Sequence, residues 1–195
     1  GGYMDKTQFA WLHEELVNAA DKHEVVIVVS HHRLEDFDDR SKVSAEMVRN
    51  LLVSSDNVIL HITGHGHKDS KTLQTVNGED GFWELMTTST IDFPMQSRIL
   101  EIVNEHNGYL SIYVTNVGHN SAEKTLASKA RQLAAGKLAF GTTFFNGDTE
   151  AFWQQEVEGQ NLLLRIALPE DISRKLATIK DWPDTIESVQ TLSNF

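Results

Sequence analysis

Val58-Ile59-Leu60-His61-Ile62-Thr63-Gly64-His65-Gly66-His67 decides the reading of this chain. A short apolar run that ends in glycine predicts a buried strand. The carboxyl end of such a strand is where open α/β sheets gather their ligands. His-x-His then brings two imidazoles, the commonest side-chain metal ligands, into one small volume from a single backbone excursion. Gly64 and Gly66 allow a tight turn there and a close approach of backbone to a bound ion. The plainer alternative is a surface loop that happens to hold two histidines. His61, inside the strand and on the side opposite to Leu60 and Ile62, reads as a hydrogen-bonded core residue. Its functional alternative is a partner that orients a ligand.

Upstream, Val25-Val26-Ile27-Val28-Val29-Ser30-His31-His32 repeats the pattern. Its apolar residues show no alternation, which predicts a strand buried on both faces of a parallel sheet. Residues 44 to 54 between the two runs predict a helix. Ser44 is its cap, and Met47, Val48, Leu51 and Leu52 form its apolar face. Strand, helix and strand make a βαβ unit that would deliver His31, His65 and His67 to one rim.

The 195 residues have one composition throughout, which predicts one domain or a piece of one. Hydrophobic content of 40% and charged content of 23% are ordinary for a globular protein. There is no apolar run of about eighteen residues, so no membrane span is expected. The start of the chain carries no signal-peptide pattern, and Gly1-Gly2 without Met reads as a processed or engineered beginning. Zero cysteines exclude disulfides and thiolate ligands; such a chain is at home in oxidising and reducing compartments alike. A net charge of -11 argues against nucleic acid as the main partner. It suits a protein that holds divalent cations, and ordinary solubility equally well.

Outward from the two runs, residues 5 to 21 predict a helix capped by Asp5 with Gln8 reaching back. Phe9, Leu12 and Leu16 lie on one face, with Trp11 packed at the sheet edge. The acidic stretch from Arg33 to Arg40 reads as a surface loop, its alternative a flap over the rim. Residues 68 to 117 turn β-rich, with strands over 72–76, 81–88, 98–103 and 109–115 and turns at Asn77-Gly78, Asp80-Gly81 and Asn107-Gly108. Residues 121 to 138 predict a helix capped by Ser121 with Leu126, Ala130 and Leu133 inward. An aromatic loop at 141–147 and a strand at 161–168 follow. Pro169 opens a last helix with Glu170 and Asp171 in its first turn. Trp83 and Phe93 read as core residues, with a substrate wall as the alternative.

These residues resemble a known family. Gly64-His65-Gly66-His67 is similar to the Gly-His-x-His motif of calcineurin-like metallophosphoesterases, and Ser30-His31-His32 to that family's preceding histidine motif. Gln8-x-x-Trp11-Leu12, Gly81-Phe82-Trp83-Glu84 and Asp92-Phe93-Pro94 also match what members carry at these places, so the resemblance covers residues 3 to 117. It implies a layered β-sandwich flanked by helices (α-β-β-α), of which this α/β chain would be a part. It further implies two divalent ions (Mn, Fe or Zn), with His31 and His65 on one and His67 on the other. The substrate would be a phosphate mono- or diester, with His32 facing it as the one candidate in this chain for a catalytic or substrate-binding group.

The family's earlier motifs, Asp-x-His, Gly-Asp and Gly-Asn-His-Asp/Glu, have no counterpart here. Asp21-Lys22-His23 ends a helix and lies too close to His31; Gly147-Asp148 and Gly118-His119-Asn120 come after the Gly-His-x-His. The expectation is therefore a carboxyl-terminal half, with 3–120 belonging to the phosphoesterase domain and 121–195 an extension packed on it. The amino-terminal half, upstream of Gly1 or on a partner chain, would supply the bridging Asp and the His that assists the leaving group. This chain alone would hold a single, partial metal site with little turnover. Two alternatives stand beside it. One is a non-catalytic metal-binding or partner-docking module. The other is a metallo-β-lactamase-like hydrolase, since His65-Gly66-His67-Lys68-Asp69-Ser70 matches His-x-His-x-Asp-His until Ser70 replaces the last His.

Overall fold

The computed structural model describes residues 1–38, 40–75, 81–118, 122–140 and 161–179. The expected central strand forms as β2 (Val58–Thr63). It lies between β1 (Val26–Val29) and β4 (Gly81–Met86), both parallel to it, and β3 (Ser70–Thr75) runs antiparallel on the far side of β4. A second, antiparallel sheet contains β5 (Gln96–Asn104), β6 (Tyr109–Gly118) and β7 (Leu162–Ala167) in that order.

Four α-helices accompany the sheets among the described residues. In α1 (Lys6–Asp21) the Asp5 side chain accepts from Gln8 N, and the Gln8 side chain accepts from Asp5 N. This is the capping box read from the sequence, and it satisfies two donors that the first turn leaves open. Ser44 caps α2 (Ala45–Val53) by accepting from Met47 N at 3.2 Å. α3 spans Leu126–Phe140, where Thr125 Oγ1 accepts from Ser128 N at 3.1 Å. α4 (Glu170–Thr178) starts after Pro169, with Glu170 and Asp171 in its first turn. No helix among the described residues is long and apolar enough to cross a membrane.

The layers follow from which side chains are buried together. Leu12 and Leu16 of α1 and Val48 and Leu52 of α2 pack with Val58 and Phe82 on one face of the first sheet. Leu60 and Leu85 on its other face meet Leu110, Ile112, Val114 and Leu164 of the second sheet. Each such burial stabilises by about 1.5–3 kcal/mol relative to exposure. The result is a mixed α/β architecture of two facing sheets with helices against the first. On the outer face of the second sheet, Ile99, Tyr113 and Leu163 are exposed.

Several sequence expectations differ in place. Val29 is 71% exposed and Ile27 is exposed as well, rather than buried on both faces. The reason is topological: β1 is an edge strand, and the second sheet faces β2 and β4 instead of covering it. Trp11 and Met47 also stand exposed. In α3, Leu126 and Leu133 point outward, and Ala134 and Ala135 make its contact by packing on Phe93 and Met95. Phe93 is buried there, and Trp83 packs between the sheets and donates from Nε1 to Arg165 O at 3.2 Å. The turn at Asn77-Gly78, the cap at Ser121 and the aromatic loop lie outside the described residues.

Candidate metal centre

The carboxyl ends of β1 and β2 bring histidines together. Ser30 N donates to Ile62 O at 3.0 Å, and Gly64 N donates to His31 O at 3.0 Å, so the two strand ends stay paired into their loops. The chain then makes a three-residue turn in which Gly66 N donates to Gly64 O at 2.7 Å, with His65 at the apex at φ 60°. His67 follows at φ 52°. Left-handed backbone is uncommon outside glycine, and it persists at functional sites where the surroundings over-determine it. A Cβ at Gly66 would stand 2.7 Å from Met86 Sδ, so the Met86 side chain would have to shift to admit one.

Three imidazoles converge in consequence. The ligand atoms of His31, His32 and His65 all lie within 4.8 Å of one another. The His32 and His65 rings are 4.1 Å apart between centroids. His65 Nδ1 sits 3.3 Å from His31 Nε2. Two nitrogens each about 2.0–2.1 Å from one tetrahedral ion would be roughly 3.3 Å apart. The donor set therefore fits a cation that accepts nitrogen ligands. Burial, together with the neighbouring His65 and His31, lowers the His32 pKa below the ordinary histidine value. That favours the neutral ring a metal requires.

Of the residues singled out in the sequence, His31 and His65 meet as expected and His32 joins them. His67 stands apart. Its Nδ1 lies 2.6 Å from Asp92 Oδ2, and Asp92 Oδ1 accepts from Lys137 Nζ at 3.0 Å. Burial pushes the Asp92 carboxyl up, but Lys137 and His67 outweigh it and hold it below the usual carboxylate range. A carboxylate on Nδ1 fixes the ring so that Nε2 is the outward-facing nitrogen. His61 is the buried, hydrogen-bonded core residue that the strand suggests, bonded at both ring nitrogens, to Glu84 and to Ser30.

The acidic stretch after His32 is occupied with its own cations. Arg33 pairs with Glu35 and Asp36, and Arg40 pairs with Asp38. The Arg33 guanidinium bonded to Asp36 holds that carboxyl below its ordinary range.

Sequence reading set His32 toward the substrate rather than among the clustered imidazoles, and it missed the partners Asp92 and Glu84. For the acids there was a signal: each is a carboxylate set in an otherwise apolar or turn-forming run, at Phe82-Trp83-Glu84-Leu85 and Ile91-Asp92-Phe93-Pro94.

No family model and no curated protein matches the chain. Among solved structures, the chain is similar to that of a dimetal phosphatase from Danio rerio, with 18% identity and a TM-score of 0.43, over 62% of this chain and 40% of that one. The chain thus spans less than half the length of that protein, and a likeness at this level says nothing of what the chain does.

Proposed function

We propose that this chain is the carboxyl-terminal part of a dinuclear metal-dependent phosphoesterase, acting on phosphate mono- or diesters. The observation that carries the reading is the convergence of three imidazoles at the ends of two parallel strands, on a turn whose two histidines are both left-handed. His31 and His65, with His32 beside them, hold one divalent cation. His67, oriented by Asp92, presents Nε2 to a second. Divalent ions bound there neutralise phosphate oxygens and acidify a water molecule. The chain's own residues hold and space the ions.

Among the described residues no carboxylate joins the three imidazoles, so the site has little countercharge and its affinity is low. The exposed apolar edge at Ile27 and Val29 supports completion by a further segment that extends the first sheet beyond β1. The same lack of a carboxylate is what favours the second reading, a non-catalytic metal-binding or docking module.

The test is a protein of native length, isolated from its source and assayed against mono- and diester substrates with Mn, Fe and Zn. Metal-dependent hydrolysis lost on His65→Ala supports the proposal. A native species of about this chain's own mass, with metal bound and no hydrolysis, replaces it with the module.

A further inference from the structure

Beneath the histidine cluster runs a line of polar groups that the metal reading leaves unused, buried at Gln74, Glu84 and His61, half-buried at Arg49 and exposed at Ser30. Arg49 Nε on α2 donates to Gln74 Oε1 at 2.9 Å, and Gln74 Nε2 donates to Glu84 Oε1 at 3.0 Å. Glu84 Oε2 lies 2.9 Å from His61 Nδ1. His61 Nε2 lies 2.7 Å from Ser30 Oγ, and Ser30 Oγ lies 2.7 Å from the His32 carbonyl oxygen. The His61 and Glu84 side chains are 2% and 3% exposed. Buried ionisable pairs are costly to retain and destabilising to break.

The direction of each bond follows from which atoms carry protons. A guanidinium only donates, so Gln74 must present its oxygen to Arg49 and its nitrogen to Glu84. An ionised carboxylate only accepts, so His61 Nδ1 carries a proton. At Ser30 the direction goes with the His61 tautomer, but either way one hydroxyl holds both the buried ring and the His32 carbonyl, each at 2.7 Å.

We infer that Glu84, His61 and Ser30 are positioning residues that lock the His31–His32 turn, and through it the spacing of the three imidazoles. The lock reaches back through Gln74 to Arg49, so a helix on the far face of the first sheet helps to fix the rim. Its use in metal binding rests on the proposed function; the lock itself is a property of the chain without metal.

Two variants, Ser30→Ala and Ser30→Thr, test it in the full chain. The Gly64 amide, bonded to His31 O, reports on the turn, and hydrogen exchange reads its opening. Without metal, Ser30→Ala is expected to speed Gly64 exchange at least tenfold and to lower the free energy of unfolding by no more than the matching amount, about 1.4 kcal/mol per tenfold. Ser30→Thr, which retains the hydroxyl, restores protection. With zinc as the probe, Ser30→Ala weakens binding about 10–100-fold, as removal of an outer-shell partner does, and Ser30→Thr does not. Gly64 exchange in Ser30→Ala within twofold of the parent, or Ser30→Thr as open as Ser30→Ala, overturns the lock. Absence of zinc binding in the parent chain overturns the metal reading instead, and the Gly64 result still decides the lock.

Discussion

Asp69→Ala is expected to be among the most damaging single substitutions outside the apolar core. Asp69 follows His67 by two residues, at the point where the histidine loop passes the second sheet. Its Oδ2 accepts from Asn116 Nδ2 at 2.7 Å. Its Oδ1 lies 2.8 Å from Arg98 Nη2, and that contact is Coulombic because Oδ1 lacks the alignment of a hydrogen bond. Arg98 in turn donates from Nε to Asn116 Oδ1 at 2.7 Å and from Nη1 to Met86 O at 3.2 Å. The Arg98 and Asp69 side chains are 4% and 6% exposed. Removing one partner of a buried pair costs about 3–5 kcal/mol, because the other charge stays behind uncompensated.

Arg98 keeps two oxygen acceptors, which places the cost near 3 kcal/mol. For a chain of this size each kcal/mol moves the unfolding midpoint by about 2–4 °C, so the drop should be roughly 6–12 °C. Thermal and urea unfolding measure it directly. The double variant Asp69→Leu/Arg98→Met removes both charges and keeps apolar volume, and it should recover most of the loss. A single variant within 1 kcal/mol of the parent, or a double variant as unstable as the single, would refute the view that the pair's burial makes it consequential.

Three further outcomes are expected. Gly81→Ala should break the β3–β4 pairing, since a Cβ there would stand 1.9 Å from the Gln74 carbonyl oxygen; a loss of at least 2 kcal/mol is expected from such overpacking, and unchanged unfolding would contradict it. Phe82→Ala empties a fully buried site between the helices and the first sheet and should cost about 3–5 kcal/mol by urea unfolding. The third concerns acid. Burial raises the Glu84 and Asp92 pKa values, yet their hydrogen-bonded partners bring both below the ordinary carboxylate range. Groups lowered in the fold contribute stability above their unfolded values of about 4 and lose it as pH falls through the folded ones. Urea midpoints should therefore fall below about pH 4, and Asp92→Asn should fall less steeply; an equal slope in the two proteins removes Asp92 from the account.

Much of the fold was legible because local signals and burial agreed. Asp5 with Gln8 and Ser44 mark helix starts by bonds made within one turn, which a sequence carries whole. β2 and the glycine turn were legible for the same reason. What failed depends on distant neighbours. β1 has the composition of a central strand and sits at an edge, and no residue within Val25–Val29 encodes what lies beside it. Leu126 and Leu133 look like an inward helix face, but α3 touches the body through Ala134 and Ala135.

At the site, the Gly-His-x-His turn was plain in the sequence. Which imidazoles meet was not. His32 reads as facing the substrate rather than as a third member of the cluster, because adjacent residues in an extended segment point opposite ways. The Ser30–His32 carbonyl bond and the loop bend bring both rings to one side. Asp92 reaches His67 across 25 residues through a loop whose course no periodicity gives.

The measurement that bears most directly on the central claim is a cobalt or zinc titration of this chain, repeated on His31→Ala, His32→Ala, His65→Ala and His67→Ala. One weak equivalent of metal is expected, lost in each of the first three variants and retained in the fourth, whose imidazole is held by Asp92 away from the cluster. No saturable binding, or binding that survives His31→Ala and His65→Ala together, would contradict the assignment of this rim as a metal centre.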